Sequence, residues 1–165
     1  MSKDNWETPW DMVDILNKEF PLGLDVCTDG KNAKCDMYLT DSLIVPWSVY
    51  LESGKYVWCN PPYSDVQPWA DKIIAENLPT LLLVNAATSS KWFHDILKIS
   101  SEIWVFKGRI AFVDPDTGLP VNGNDRSQMM FVINDSTEQI VKSVDVKDIQ
   151  PHRKDYANYL RIRSK

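Results

Sequence analysis

The sequence predicts an α/β fold, a mainly parallel twisted sheet flanked by helices and ending in an antiparallel hairpin. Strand-type and helix-type patterns alternate over most of the length, the order expected when sheet strands are joined by covering helices. Residues 80–84, Thr-Leu-Leu-Leu-Val, form a continuous apolar run bounded by polar residues, as in a parallel strand buried on both faces. Residues 57–64, Val-Trp-Cys-Asn-Pro-Pro-Tyr-Ser, carry an apolar strand straight into a double-proline turn. Prolines lack the amide donor a ladder needs, so that strand ends at Asn60.

The elements follow in order. Thr8-Pro9 reads as a helix start, with Thr8 as the cap and Pro9 in the first helical position. Trp10, Val13, Leu16 and Phe20 then recur at helical spacing, and Pro21 ends the helix. Residues 22–27 alternate as a strand, 28–32 are a turn-rich loop, and a short strand is expected at 37–39, leading to Thr40-Asp41-Ser42. After the proline turn, Ser64 and Gln67 have the spacing of a capping box, and Trp69, Ile73 and Ile74 give the next helix an apolar face. Ser89-Ser90 is expected to cap a helix carrying Trp92, Phe93, Ile96 and Leu97. Strands are expected at 102–106, 109–113 and 128–133, with a long polar loop at 114–127 and a short last helix capped by Ser136. Residues 143–165 show no periodicity that assigns them an element.

A length of 165 residues suits one domain. We take residues 1–142 as that domain and 143–165 as a basic tail, part of it or an extension. The composition, 44% apolar and 25% charged, is that of a globular protein in solution. No apolar run is long enough to span a membrane, and Met1-Ser2-Lys3-Asp4 opens no apolar signal segment, so the cytoplasm is the expected location. Cys27, Cys35 and Cys59 form no metal-ligand spacing, and the expectation is reduced thiols and no metal. A net charge of −5 argues against coating nucleic acid by bulk attraction. Local contact is a separate matter. Arg153, Lys154, Arg161 and Arg163 cluster at the carboxyl end, and Arg126, with Arg109, is expected to approach a polyanion from the loop at 114–127.

The Asn60-Pro61-Pro62-Tyr63 turn carries the most chemistry. It holds an amide side chain, carbonyls without intervening N–H groups, and an aromatic ring at the carboxyl end of a strand, where open α/β sheets bind ligands. The Asn60 oxygen and the Pro61 carbonyl can each accept one hydrogen of a planar NH2 group. The plainer reading is a tight turn closing a buried strand.

Five segments in order, Trp6-x-Thr8-Pro9, residues 24–27 with 32–35, Asn60-Pro61-Pro62-Tyr63-Ser64, Lys91-Trp92-Phe93-His94 and Gly108-Arg109-Ile110-x-Phe112, resemble the phage-type Dam family of DNA N6-adenine methyltransferases. The likeness covers roughly residues 6–133. It implies a seven-stranded Rossmann-like methyltransferase sheet and S-adenosylmethionine as cofactor. Catalysis would fall to Asn60, Pro61, Pro62 and Tyr63, with Tyr63 also stacking on the target base. The cofactor would lie against Trp6, Thr8, Pro9, Asp25, Cys27, Asp29 and Asn60, with Asp41 from a later strand end. The residues Asp25-Val26-Cys27-Thr28-Asp29-Gly30 stand where most adenine methyltransferases have a two-glycine loop. DNA containing adenine is the implied partner, with no membrane and no metal; the oligomeric state is open. Other readings are methylation of a protein glutamine amide or an RNA base, and a homologue that binds nucleic acid without catalysis. His94 is read as a helix residue and not as a base.

Overall fold

The computed structural model describes residues 3–165; Met1 and Ser2 of the polar amino terminus lie outside the described residues. In chain order the elements are α1 (Trp10–Glu19), β1 (Leu22–Asp25), β2 (Tyr56–Cys59), α2 (Gln67–Glu76), β3 (Thr80–Asn85), α3 (Lys91–Ile99), β4 (Glu102–Lys107), β5 (Gln128–Ile133), β6 (Ile140–Asp145), α4 (Val146–Ile149) and α5 (Tyr156–Arg163). Six strands form one sheet in the order β1-β2-β3-β5-β4-β6.

Strands β1, β2 and β3 are parallel neighbours, β5 runs antiparallel to both β3 and β4, and β6 is parallel to β4. The chain therefore crosses from β3 through α3 to β4, leaving one strand's width between them, and β5 returns into that gap. The antiparallel strand expected at the end of the sheet lies inside it. All six residues of β3 are buried, as its unbroken apolar run requires. One face of the sheet packs Trp47, Ile73, Phe93 and Phe131 beneath α2 and α3, and the other packs Met12, Leu16, Trp58 and Phe112 beneath α1 and α4. Each fully buried large side chain contributes about 1.5–3 kcal/mol of transfer free energy.

Several expected elements differ. Residues 109–112 form no strand. Gly108, at φ +91°, turns the chain off β4, and the Gln150 side chain takes both backbone groups of Ala111, accepting from its N–H at 2.9 Å and donating to its carbonyl at 2.7 Å. A backbone satisfied by a side chain has no need of a ladder. The strand expected at 37–39 is a single bridge from Tyr38 to Asp25. The helix expected after Ser136 is instead edge strand β6: the Ser136 hydroxyl accepts only from the Glu138 N–H in a local turn. Pro9, not Thr8, is the cap residue of α1. Helix α2 starts after Val66, because the Ser64 hydroxyl donates to Asp4 and caps nothing.

Residues 143–165 are structured by α1. The Trp10 N–H donates to the Tyr156 hydroxyl at 2.8 Å, the His152 N–H donates to Asp11 at 2.8 Å, and Arg163 donates twice to Asp14, at 2.7 and 3.0 Å. Among the described residues no helix is long and apolar enough to cross a membrane.

Candidate active site

Strands β1, β2 and β3 end at one edge of the sheet, presenting Asp25, Asn60 and Asn85 there. Asn60 follows β2 directly, and the two prolines hold the chain out of the sheet. Its Nδ2 donates to the buried Thr8 hydroxyl at 2.9 Å, and its Oδ1 accepts from the Tyr63 hydroxyl at 2.8 Å. The segment that carries Thr8 is itself pinned, since Glu7 and Val113 exchange two backbone hydrogen bonds at 2.9 and 2.8 Å. Asp4 accepts from the N–H and the hydroxyl of Ser64.

The turn separates two cavities. A large cleft of about 870 Å³ lies on the β1 side, and a small cavity of about 170 Å³ lies on the β5 side. Pro62 faces the cleft, Pro61 and Tyr63 face the small cavity, and Asn60 and Trp6 border both.

The cleft is walled by Thr8, Asp25, Cys27 and Asp29 as well as Trp6 and Asn60. Asp25 is buried, its two carboxylate oxygens accepting from the Cys27 N–H at 3.0 Å and the Lys34 N–H at 2.8 Å. It thereby folds the loop that forms the cleft floor. Burial raises the Asp25 pKa, against those two hydrogen bonds and the nearby Lys34 charge. Gly30 allows the close turn of this loop: its φ is +90°, and a Cβ there would sit 3.0 Å from the Tyr38 ring. The half-buried Lys34 ammonium lies 4.3 Å from the Trp10 ring centre, and burial lowers its pKa to about 8. The Cys27 and Cys59 sulfurs approach to 3.5 Å as free thiols, with burial pushing the Cys27 thiol well up. Pro9 is buried outside the cleft lining, and exposed Asp41 lies outside it too; the adjacent Thr40 takes its place. Among the described residues no cluster of His, Cys, Asp or Glu could hold a metal. The His94 Nε2 is bonded to the Thr88 carbonyl at 2.7 Å.

The small cavity has an aromatic wall and an amide wall. Phe112 lies 6.3 Å from Trp6, near-parallel, and 6.2 Å from Tyr63, edge to face. Burial raises the Tyr63 pKa well above its ordinary value, so its hydroxyl stays a donor. Opposite are Asn85, Asn124 and Gln128, joined through their side chains. Arg126 stands exposed at the rim. Sequence reasoning missed Phe112 as a cavity wall and all three amides; the available signal was a polar residue ending one apolar strand, Asn85, and another opening a second, Gln128.

The remaining predicted cations are dispersed. Arg109 is exposed and lines neither cavity. Arg153 donates to Asn122 and Arg161 to Asn158, Lys154 is exposed, and Arg163 packs 3.8 Å from the Trp10 ring centre while paired with Asp14.

Fold and site together define an α/β protein with paired chambers at the carboxyl edge of its sheet, with Asn60, Trp6 and Asp4 bordering both. The profile of the DNA N-6-adenine-methyltransferase (Dam) family matches residues 1–155, and the chain belongs to that family. It is 30% identical over 140 residues to the DNA N-6-adenine-methyltransferase of Haemophilus phage HP1 (strain HP1c1), covering 79% of this chain and 78% of that protein. It is 27% identical over 158 residues to the protein of the same name from Escherichia phage T1, covering 82% of this chain and 65% of that protein. No solved structure matches the chain.

Proposed function

We propose that the protein methylates the exocyclic N6 of adenine in DNA, with S-adenosylmethionine in the large cleft and a flipped adenine in the small cavity. The observation that carries this is the position of Asn60, which borders both chambers. Five of the six strands share one direction, and the crevice lies at their carboxyl ends, which supports a Rossmann-like methyltransferase reading of the fold.

The cleft residues fit such a cofactor. Its volume is that of a pocket for a nucleoside-sized ligand. Trp6 and Trp69 offer aromatic surface, and Asp29 and Asp116 offer carboxylates, a set suited to a cation carrying polar groups. Bound there, S-adenosylmethionine supplies an electrophilic methyl group on a positively charged sulfur.

The chain's own residues do the rest. Taking adenine out of a duplex costs a few kcal/mol, and the Trp6, Phe112 and Tyr63 wall of the small cavity offsets this by contact with the base. Asn60 Oδ1 uses one lone pair for Tyr63 and keeps the other for an amine hydrogen; the Pro61 carbonyl takes the second hydrogen. These two acceptors aim the nitrogen lone pair across the partition. As the nitrogen–methyl bond forms and the methyl–sulfur bond breaks, positive charge grows on nitrogen, and the fixed acceptors stabilise it. The surplus proton leaves to water afterwards, so no strong base is required. This activity belongs in the cytoplasm of the cell that makes the protein.

Calorimetric binding of S-adenosylmethionine followed by tritiated methyl transfer to DNA, RNA and protein tests the reading. Transfer to N6 of adenine in DNA is expected. Preferred transfer to RNA or to a glutamine amide would replace the substrate, and cofactor binding without any transfer would make the protein a binding homologue.

A further inference from the structure

Asn85 ends β3 and Gln128 opens β5, and the two are register partners across that antiparallel pair. Both residues are almost wholly buried, at 8% and 4% exposure, yet both line the small cavity. A buried amide is held in one orientation only if its neighbours distinguish oxygen from nitrogen. Here they do. Asn124 Oδ1 accepts from the Arg126 N–H at 3.1 Å, and Asn124 Nδ2 donates to the Ile110 carbonyl at 3.0 Å. One backbone group can only donate and the other can only accept, so the Asn124 amide is fixed from both ends.

The polarity then passes inward. The second Asn124 N–H donates to Gln128 Oε1 at 2.8 Å, and Gln128 Nε2 donates to Asn85 Oδ1 at 3.0 Å. The chain of amides leaves one possibility at its inner end. The Asn85 Nδ2 amino group, which makes no hydrogen bond to a described residue, is a fixed donor at the cavity wall.

Resting on the assignment of this cavity to the target base, we infer that Asn85 reads adenine by donating to the ring nitrogen beside the exocyclic amine. Asn60 supplies the acceptor for the amine, and Asn85 supplies the donor for the acceptor nitrogen next to it, so the cavity is matched to an amine flanked by an unprotonated ring nitrogen. Guanine and thymine each present a carbonyl beside a ring N–H on the Watson–Crick edge and meet both asparagines with the wrong polarity there; on the N7 edge guanine is mismatched at the amine position alone. N1 and N7 of adenine both flank the amine and share this chemistry. Asn124 and Gln128 are positioning residues, since they act by fixing the Asn85 amide.

The test uses the DNA sequence best methylated in the transfer assay, with the target adenine replaced by 1-deazaadenine or by 7-deazaadenine. Each analogue keeps the amine and deletes one ring acceptor. For the wild-type protein one analogue is expected to lower kcat/KM by about 10-fold or more, identifying the edge that is read. In Asn85→Ala that penalty should shrink to within about 2-fold, because the donor is gone. Gln128→Glu keeps the volume but puts an oxygen against Asn85 Oδ1, so the Asn85 amide turns over and presents its oxygen; the same penalty should vanish there too. A wild-type protein indifferent to both analogues overturns the inference. So does a penalty undiminished in both variants, each checked by thermal melting for a native fold. If the wild type methylates no adenine in any DNA, the cavity assignment itself falls, a result distinct from either of these.

Discussion

Thr8 and Asn60, 52 positions apart, are joined side chain to side chain at 2.9 Å, and this bond, with the one from the Tyr63 hydroxyl, anchors the Asn60 side chain between the two cavities. A hydroxyl can accept from the amide nitrogen, whereas a methyl group of the same size cannot. Thr8→Val should therefore loosen the Asn60 side chain and lower kcat about 10-fold, or about 1.4 kcal/mol, while Thr8→Ser stays near wild type. Steady-state methylation, with a melting curve to confirm folding, measures this.

Asn60→Ala removes the acceptor that strengthens as charge develops on nitrogen. The expected loss is about 100-fold or more in single-turnover rate, roughly 3 kcal/mol, with cofactor affinity changed far less. Asn60→Asp keeps an oxygen toward the base and should retain part of the activity. A wild-type rate in Asn60→Ala would sink the acceptor mechanism.

Arg126 stands at the rim of the small cavity. Its exposed guanidinium is suited to a phosphate flanking the flipped nucleotide. Arg126→Ala should raise KM for DNA about 10-fold and reduce the slope of log affinity against log salt by about 1. Binding titrations at several salt concentrations would show it, and an unchanged slope would remove Arg126 from the interface.

The Arg163 guanidinium is committed to Asp14 and to the Trp10 ring. We therefore expect Arg163→Ala to act on stability and on the cofactor side, where Trp10 lines the cleft, before it acts on DNA. A partly exposed pair of this kind is worth about 1 kcal/mol or less, a fall in Tm of roughly 2–4 °C. Loss of DNA affinity at unchanged Tm would reverse this view and restore the tail as a phosphate contact.

Lys34 gives stability a pH dependence of known sign. Its pKa falls from 10.5 to about 8 in the folded chain because burial disfavours the charge. Below pH 8 both folded and unfolded chains carry the proton, and the burial penalty is fully present. Between pH 8 and 10.5 the unfolded chain binds more protons than the folded one, so this residue makes stability rise with pH. Lys34→Met should abolish that rise, a difference on the order of 1 kcal/mol between pH 7 and 10, read by urea denaturation at the two pH values.

The alternation of elements and the double-proline turn were legible because each is written in consecutive residues. The lining of the large cleft was partly legible too: Trp6, Thr8, Asp25, Cys27, Asp29 and Asn60, grouped in the sequence reading, line it together. Thr8 was also given a second role. Its place before Pro9 suggested a cap, while its hydroxyl serves Asn60 across the fold. The amide wall was invisible because Asn85 and Gln128 meet only through the register of β3 with β5, and no local spacing encodes a register. Residues 109–112 misled for a related reason: an apolar run looks like a strand until a distant Gln150 takes its backbone bonds. Strand β6 escaped because an edge strand with half its residues polar lacks the apolar run that marked β3.

The insertion of β5 between β3 and β4 also sets an order of assembly. Strand β4 pairs only with β5 and β6, both later in the chain, whereas β1, β2 and β3 pair among themselves as soon as they exist. A nascent chain that has emerged from the ribosome only as far as residue 110 can thus close half its sheet, while β4 waits with both edges open to stray pairing. The strand that relieves this is the one that delivers Gln128. Translation therefore delivers the amide wall only with β5, and an unfinished chain has the loop that floors the large cleft before it has the small cavity.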